Sequence, residues 1–261
     1  MATYPTIADY TGRAQPQAPV LLWSSDLRDA TPAALPTSAT ATDIDGQTMT
    51  VSVPVGTATT WAIVGGVGIE VDGSGVRGRL TISWAQIAAN MTRALTDLDS
   101  LIVEIQVGQD VADGSLSAND SGVFLSVISS AGTNYAVANM TRYSGTRERQ
   151  IGRYTGGSSP ENGSLRENAT GRSFSLRVGP GGYTAIGYTT DAELDFSAPM
   201  TSATGRRMVA QNAGTVTAAG PWSNQSIAYL LLDIVKSSGE TATVALEQMD
   251  IWLIPGSEYT P

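Results

Sequence analysis

From residue 47 onward, apolar side chains recur at every second position in short runs. Met49, Val51, Val53 and Val55 alternate with Thr50, Ser52 and Pro54, and Val67, Ile69 and Val71 with Gly68, Glu70 and Asp72. Leu101, Val103, Ile105 and Val107 alternate with Ile102, Glu104 and Gln106, and Phe174, Leu176 and Val178 with Ser173, Ser175 and Arg177. A period of two sends one set to one face of a strand and the other set to the opposite face, so each run gives a sheet one side for a core. Turn clusters such as Asp72-Gly73-Ser74-Gly75 and Gly179-Pro180-Gly181-Gly182 separate the runs. Strands of this length and spacing predict an all-β fold, an antiparallel two-sheet jelly-roll sandwich. Phe174, Leu176, Val178, Leu230, Leu232, Ile251 and Leu253 are expected in one interior.

Three stretches read differently. Residues 1–36 contain Pro5, Pro16, Pro19, Pro32 and Pro36. Proline removes ladder donors, so this stretch reads as an extended N-terminal arm ahead of a sandwich domain over 37–261. Trp84, Ile87, Ala88, Met91 and Leu95 recur at helical spacing behind a Ser83–Gln86 capping box, which predicts one short helix near 84–95. The apolar runs Ile227–Val235 and Thr243–Ile254, joined by Ser237-Ser238-Gly239-Glu240, read as a central hairpin covered on both faces.

The residue types on offer exclude most chemistry. The chain has no histidine and no cysteine, hence no imidazole base, thiol nucleophile or disulfide. A net charge of −9 argues against nucleic acid as a partner. The segment from Arg142 to Arg177, with seven arginines and three glutamates, runs against that trend and suits an acidic neighbour or anionic glycan. No apolar run approaches the ~20 residues a membrane helix needs, and the start lacks the pattern of a secretion signal. Charged residues make up only 15% of the chain, so the surface must be largely Thr, Ser, Asn and Gly. Arginine outnumbers lysine fourteen to one, with Lys236 alone, which suggests a GC-rich bacterial or bacteriophage source.

Paired carboxylates are the remaining route to catalysis, since sugar-bond cleavage needs two on one site. Glu247 and Asp250 are three apart, which on a regular strand places them on opposite faces. No catalytic residue is assigned and no enzyme is expected. Asp110, Asp113 and Asp120 sit in a segment rich in hard oxygen ligands, the type calcium takes, and calcium is the one cofactor considered. Tyr183, Tyr188, Trp222, Arg147 and Arg149 lie in or near turns and are candidate contacts for a glycan or a protein partner. In the arm, Leu22 and Trp23 are expected as docking anchors, with Tyr4 and Tyr10 at their rim.

The closing strand at Met249-Asp250-Ile251-Trp252-Leu253 and the pair Arg172–Val178 and Gly182–Tyr188 resemble the concanavalin A-like, or laminin-G-like, jelly rolls. The arm, the low charge and the codon bias resemble accessory proteins of tailed bacteriophages. That resemblance implies a non-enzymatic virion structural protein, a capsid decoration or tail subunit, assembled in the host cytoplasm. It would be attached to other virion proteins and homo-oligomeric, with no membrane insertion. The alternative is a carbohydrate- or receptor-binding lectin-like module, and less so a glycoside hydrolase.

Overall fold

The computed structural model describes residues 18–96, 99–113, 115–130, 134–143, 146–153, 161–167, 173–178, 184–189, 207–211 and 227–256. In chain order the elements are β1 (Val20–Asp26), β2 (Ala33–Ala34), β3 (Thr40–Ile44), β4 (Gln47–Val55), β5 (Ala58–Val64), β6 (Gly68–Gly73) and β7 (Val76–Ser83), then α1 (Trp84–Ala88). There follow β8 (Ser100–Val107), α2 (Gln109–Asp113), β9 (Gly122–Ser129), β10 (Asn134–Tyr143), β11 (Thr146–Arg153), β12 (Glu161–Glu167) and β13 (Ser173–Val178). The last are β14 (Thr184–Thr189), β15 (Arg207–Gln211), β16 (Ile227–Lys236) and β17 (Val244–Ile254).

The strands form two antiparallel sheets, the all-β sandwich that the alternation predicts. One has nine strands in the order β15-β14-β13-β8-β17-β6-β5-β2, with β1 also on β17; the other has eight, β12-β11-β10-β9-β16-β7-β4-β3. Their facing sides share one core. Phe174, Leu176, Leu230, Leu232, Ile251 and Leu253 are all 0% exposed within it, while the Val178 side chain lies outside the described residues. The expected pair β13–β14 forms, with Phe174 opposite Tyr188. Phe174→Ala should cost about 3–5 kcal/mol, because the hole cannot refill. The expected readout is a lower urea midpoint at an unchanged slope; a loss below about 1 kcal/mol contradicts the core placement.

The arm is corrected in its described part. Val20–Asp26 is a strand on β17, and Leu22, Trp23, Leu27, Ala30 and Leu35 are buried. The register slips between Leu21 and Trp23, a β-bulge that turns both Leu22 and Trp23 into the core. Their apolar surface is taken up by this chain, so they are not the docking anchors expected. Pro32 and Pro36 fall beside the short β2, and the Pro36 carbonyl accepts a hydrogen bond from Trp61 Nε1 at 3.0 Å.

The helix is shorter than its periodicity predicts, and it is not alone. The Ser83 capping box is present, with Ser83 Oγ accepting from the Gln86 amide and Gln86 Oε1 from the Ser83 amide. The helix ends at Ala88, and a second, α2, occupies residues 109–113. The last two strands are not a hairpin pair, because β16 lies in the eight-stranded sheet and β17 in the nine-stranded one. The chain crosses the sandwich at residues 237–243, where Glu240 accepts the amides of Ser117 and Ala118 and ties two loops together.

Candidate functional site

The carboxylates come first, because β17 rearranges them. Its register with β8 slips between Leu246 and Gln248, so Glu247 sits in a bulge. Glu247 Oε2 accepts from Gln106 Nε2 at 2.8 Å, and Gln106 lies on the same side of β8 as Glu104, opposite Asp250 in register. Trp252 Nε1 donates to Glu104 Oε2 at 3.1 Å. Glu104, Glu247 and Asp250 therefore share one face, on the side of the nine-stranded sheet turned away from the common core. The expectation that Glu247 and Asp250 point to opposite faces fails because a bulge inserts one residue and resets the alternation.

Where β8, β13 and β17 lie side by side, this face does not meet solvent. Glu104, Gln106, Gln248, Asp250 and Ser173 are 0% exposed, Ser175 1% and Glu247 4%. Gln248 makes no hydrogen bond through either amide atom, a cost of about 1–3 kcal/mol that the surrounding packing must offset. The three acids are therefore buried away from solvent.

The eight-stranded sheet presents the opposite case. Along β16, Leu230, Leu232 and Ile234 enter the core, while Tyr229, Leu231 and Val235 are half-exposed on the other side with Asp233 between them. Register sets Ser83, Thr81, Arg79 and Arg77 of β7 against Tyr229, Leu231, Asp233 and Val235. On the other flank, β9 sets Ser126 against Leu231 and the half-exposed Phe124 against Asp233. Beyond β7, Thr50 and Ser52 of β4 extend the rows of Thr81 and Arg79. Arg79 grips Asp233 with Nε–Oδ1 at 2.7 Å and Nη2–Oδ2 at 2.9 Å, and that grip raises the Arg79 pKa further. The result is a solvent-facing stripe of aromatic and aliphatic surface from Tyr229 to Val235, about 20 Å long, bordered by hydroxyls and one ion cluster.

The residues chosen from sequence fall elsewhere. Tyr4, Tyr10, Tyr183 and Trp222 lie outside the described residues, as do the side chains of Tyr188, Arg147, Arg149 and Asp113. Asp110 Oδ2 accepts from the Thr243 amide at 2.7 Å. Asp120 is exposed at φ 63°, and its amide donates to the Arg142 carbonyl at 2.7 Å. Among the described residues no group of three or more acidic side chains is placed to hold a metal ion. Phe124 and Tyr229 were missed because each stands in an apolar run that reads as interior. The signal available was their phase: each is one residue out of step with the core positions of its strand.

No protein-family model matches the sequence, and no curated protein is similar to it. Among solved structures, the exoplasmic/lumenal domain of VIP36 in a Ca2+/Man2-bound form is 8% identical, with 89% of this chain and 92% of that chain covered and a TM-score of 0.44. The CBM2 module of the evolved Dit of Lactobacillus casei BL23 phage J-1 is 10% identical, covering 94% and 100%, at 0.42. The globular domain of T. cruzi calreticulin is 7% identical, covering 89% and 87%, at 0.41. Likenesses this loose say nothing about what the chain binds.

Proposed function

We propose that this chain is a non-enzymatic binding module whose ligand is a saccharide laid across the outer side of the eight-stranded sheet. The observation that supports the reading is the half-exposed stripe of Phe124, Tyr229, Leu231 and Val235, set among Thr50, Ser52, Thr81, Ser83 and Ser126. A sugar ring offers C–H faces and hydroxyl edges, and this stripe offers an apolar partner for the first and hydroxyl partners for the second. The groups stand on paired central strands, so little ordering is needed when a ligand binds. Catalysis is left out because Glu104, Glu247 and Asp250 are sealed from solvent. Carried on a virion, as the resemblance to bacteriophage accessory proteins implies, such a module would serve contact with a surface glycan.

Calorimetric titration with hexasaccharides of neutral and charged type tests the reading. Binding should weaken about tenfold in Tyr229→Ala and in Phe124→Ala, the size expected for losing an aromatic contact with its buried area. Both variants should keep the wild-type melting temperature within a few degrees, and no new reducing ends should appear. Absence of binding to every saccharide, or wild-type affinity in both variants, contradicts the reading. Release of reducing ends would replace it with a hydrolase.

A further inference from the structure

We infer that the saccharide carries an anionic group and that Arg77 receives it, an inference that rests on the saccharide-binding reading above. Strands β4, β7, β9 and β16 place three charged side chains on this outer side: Arg77, Arg79 and Asp233. Lys236, the other charged residue of these strands, is buried and bonded to Asp72 of β6 at 2.7 Å. Arg79 takes both oxygens of Asp233 in short hydrogen bonds, so those two groups neutralise each other. Arg77 is then a cation in excess. Its Nη1 forms a second, longer ion pair with Asp233 Oδ2 at 3.6 Å, its buried Nε makes no hydrogen bond, and its side chain is 41% exposed, so the terminal nitrogens are the donors a ligand can reach.

A planar guanidinium held this loosely, at the end of an apolar stripe, fits a carboxylate or sulfate through paired N–H donors. The chain as a whole is negative, at −9. That field is screened beyond about 8 Å at physiological ionic strength, so the ligand charge is read locally. Arg77 lies opposite Val235 and Tyr229 stands at the other end of the stripe, about 20 Å away along β16. The anionic unit therefore binds at the Arg77 end, and the rest of the saccharide extends over Leu231 toward Tyr229. Hydroxyl-bearing neighbours serve a neutral sugar as well as a charged one; the Arg77 guanidinium, which shares one carboxylate with Arg79, is what selects the charged class.

The test is titration of the wild type and Arg77→Gln with hexagalacturonate, a heparin hexasaccharide and cellohexaose. The wild type should bind an anionic hexasaccharide more tightly than cellohexaose, and more weakly as salt rises from about 50 to about 500 mM. Arg77→Gln should lose about tenfold in affinity for the anionic ligand, with an unchanged melting temperature and unchanged affinity for cellohexaose. Preference between the first two probes identifies the group as carboxylate or sulfate. Equal or tighter binding of cellohexaose, or no effect of Arg77→Gln, overturns the inference and leaves the saccharide reading standing. If none of the three probes nor any other saccharide binds, that reading itself fails.

Discussion

Gly68→Ala should leave the chain unfolded, or close to it, at room temperature. Gly68 opens β6 at φ +100°, a conformation that L side chains rarely adopt. A Cβ there would lie 2.2 Å from the Leu246 carbonyl oxygen and 2.9 Å from Glu247 Cα. Both are backbone atoms at the bulge of β17, so neither can move aside without shifting the central strand of the nine-stranded sheet. Backbone strain of about 1–3 kcal/mol adds to the cost of that displacement. Against a usual total of about 5–15 kcal/mol, the sum is a large share. Gly46→Ala is the control. Gly46 also has positive φ, +71°, but nothing lies within 4 Å of the added methyl, so only the strain applies. Gly68→Ala should melt far below Gly46→Ala; similar melting temperatures would mean that β6 does not pass so close to β17.

Acid should destabilise the fold through two carboxylates whose positions are structural. Burial alone would raise the pKa of Asp99, which is 0% exposed. The Arg93 guanidinium, the amides of Thr96 and Gly256 and the Thr96 hydroxyl outweigh it and hold the group at about 2, against 3.8 ordinarily. Burial likewise opposes ionisation of Glu240, but the amides of Ala118, Ala242 and Ser117 and the Ser117 hydroxyl hold it at about 2, against 4.5. A carboxyl with a depressed folded pKa contributes stability that is complete above its unfolded pKa and disappears as pH falls through the folded one. The window is therefore from about pH 4.5 down to about pH 2, with roughly 2–3 kcal/mol lost for each group. Urea midpoints measured across that range should fall steeply in the wild type and less steeply in Asp99→Asn and Glu240→Gln, both weaker at neutral pH. A wild-type midpoint flat from pH 5 to about pH 2 contradicts the hydrogen-bonding roles given to them.

The sandwich was legible because period two survives any rearrangement that keeps strands paired. Faces were legible only where strands are regular. At Leu22 and at Glu247 a bulge shifts the alternation by one residue. It buries two side chains read as docking anchors and brings together two acids read as opposed. A bulge depends on how neighbouring strands twist, which spacing within one strand does not record. The assignment of β16 and β17 to one hairpin failed for a related reason. Two adjacent apolar runs show that both are central, not that they share a sheet. One local signal was passed over. Asp45 and Gly46, both at positive φ, make the two-residue turn between β3 and β4, the dipeptide such turns prefer. The candidate site was least legible, since Phe124 and Tyr229 become surface residues only once β9, β16 and β7 are laid side by side.

The most direct measurement is the location of a bound hexasaccharide in a crystal of the complex. The ligand should lie across the outer side of β7, β16 and β9, with a ring against Tyr229 or Phe124 and its charged group within hydrogen-bond distance of Arg77. A ligand seated instead on the nine-stranded sheet, against Glu104, Asp250 and Trp252, would contradict the account and return those carboxylates to consideration as a catalytic pair.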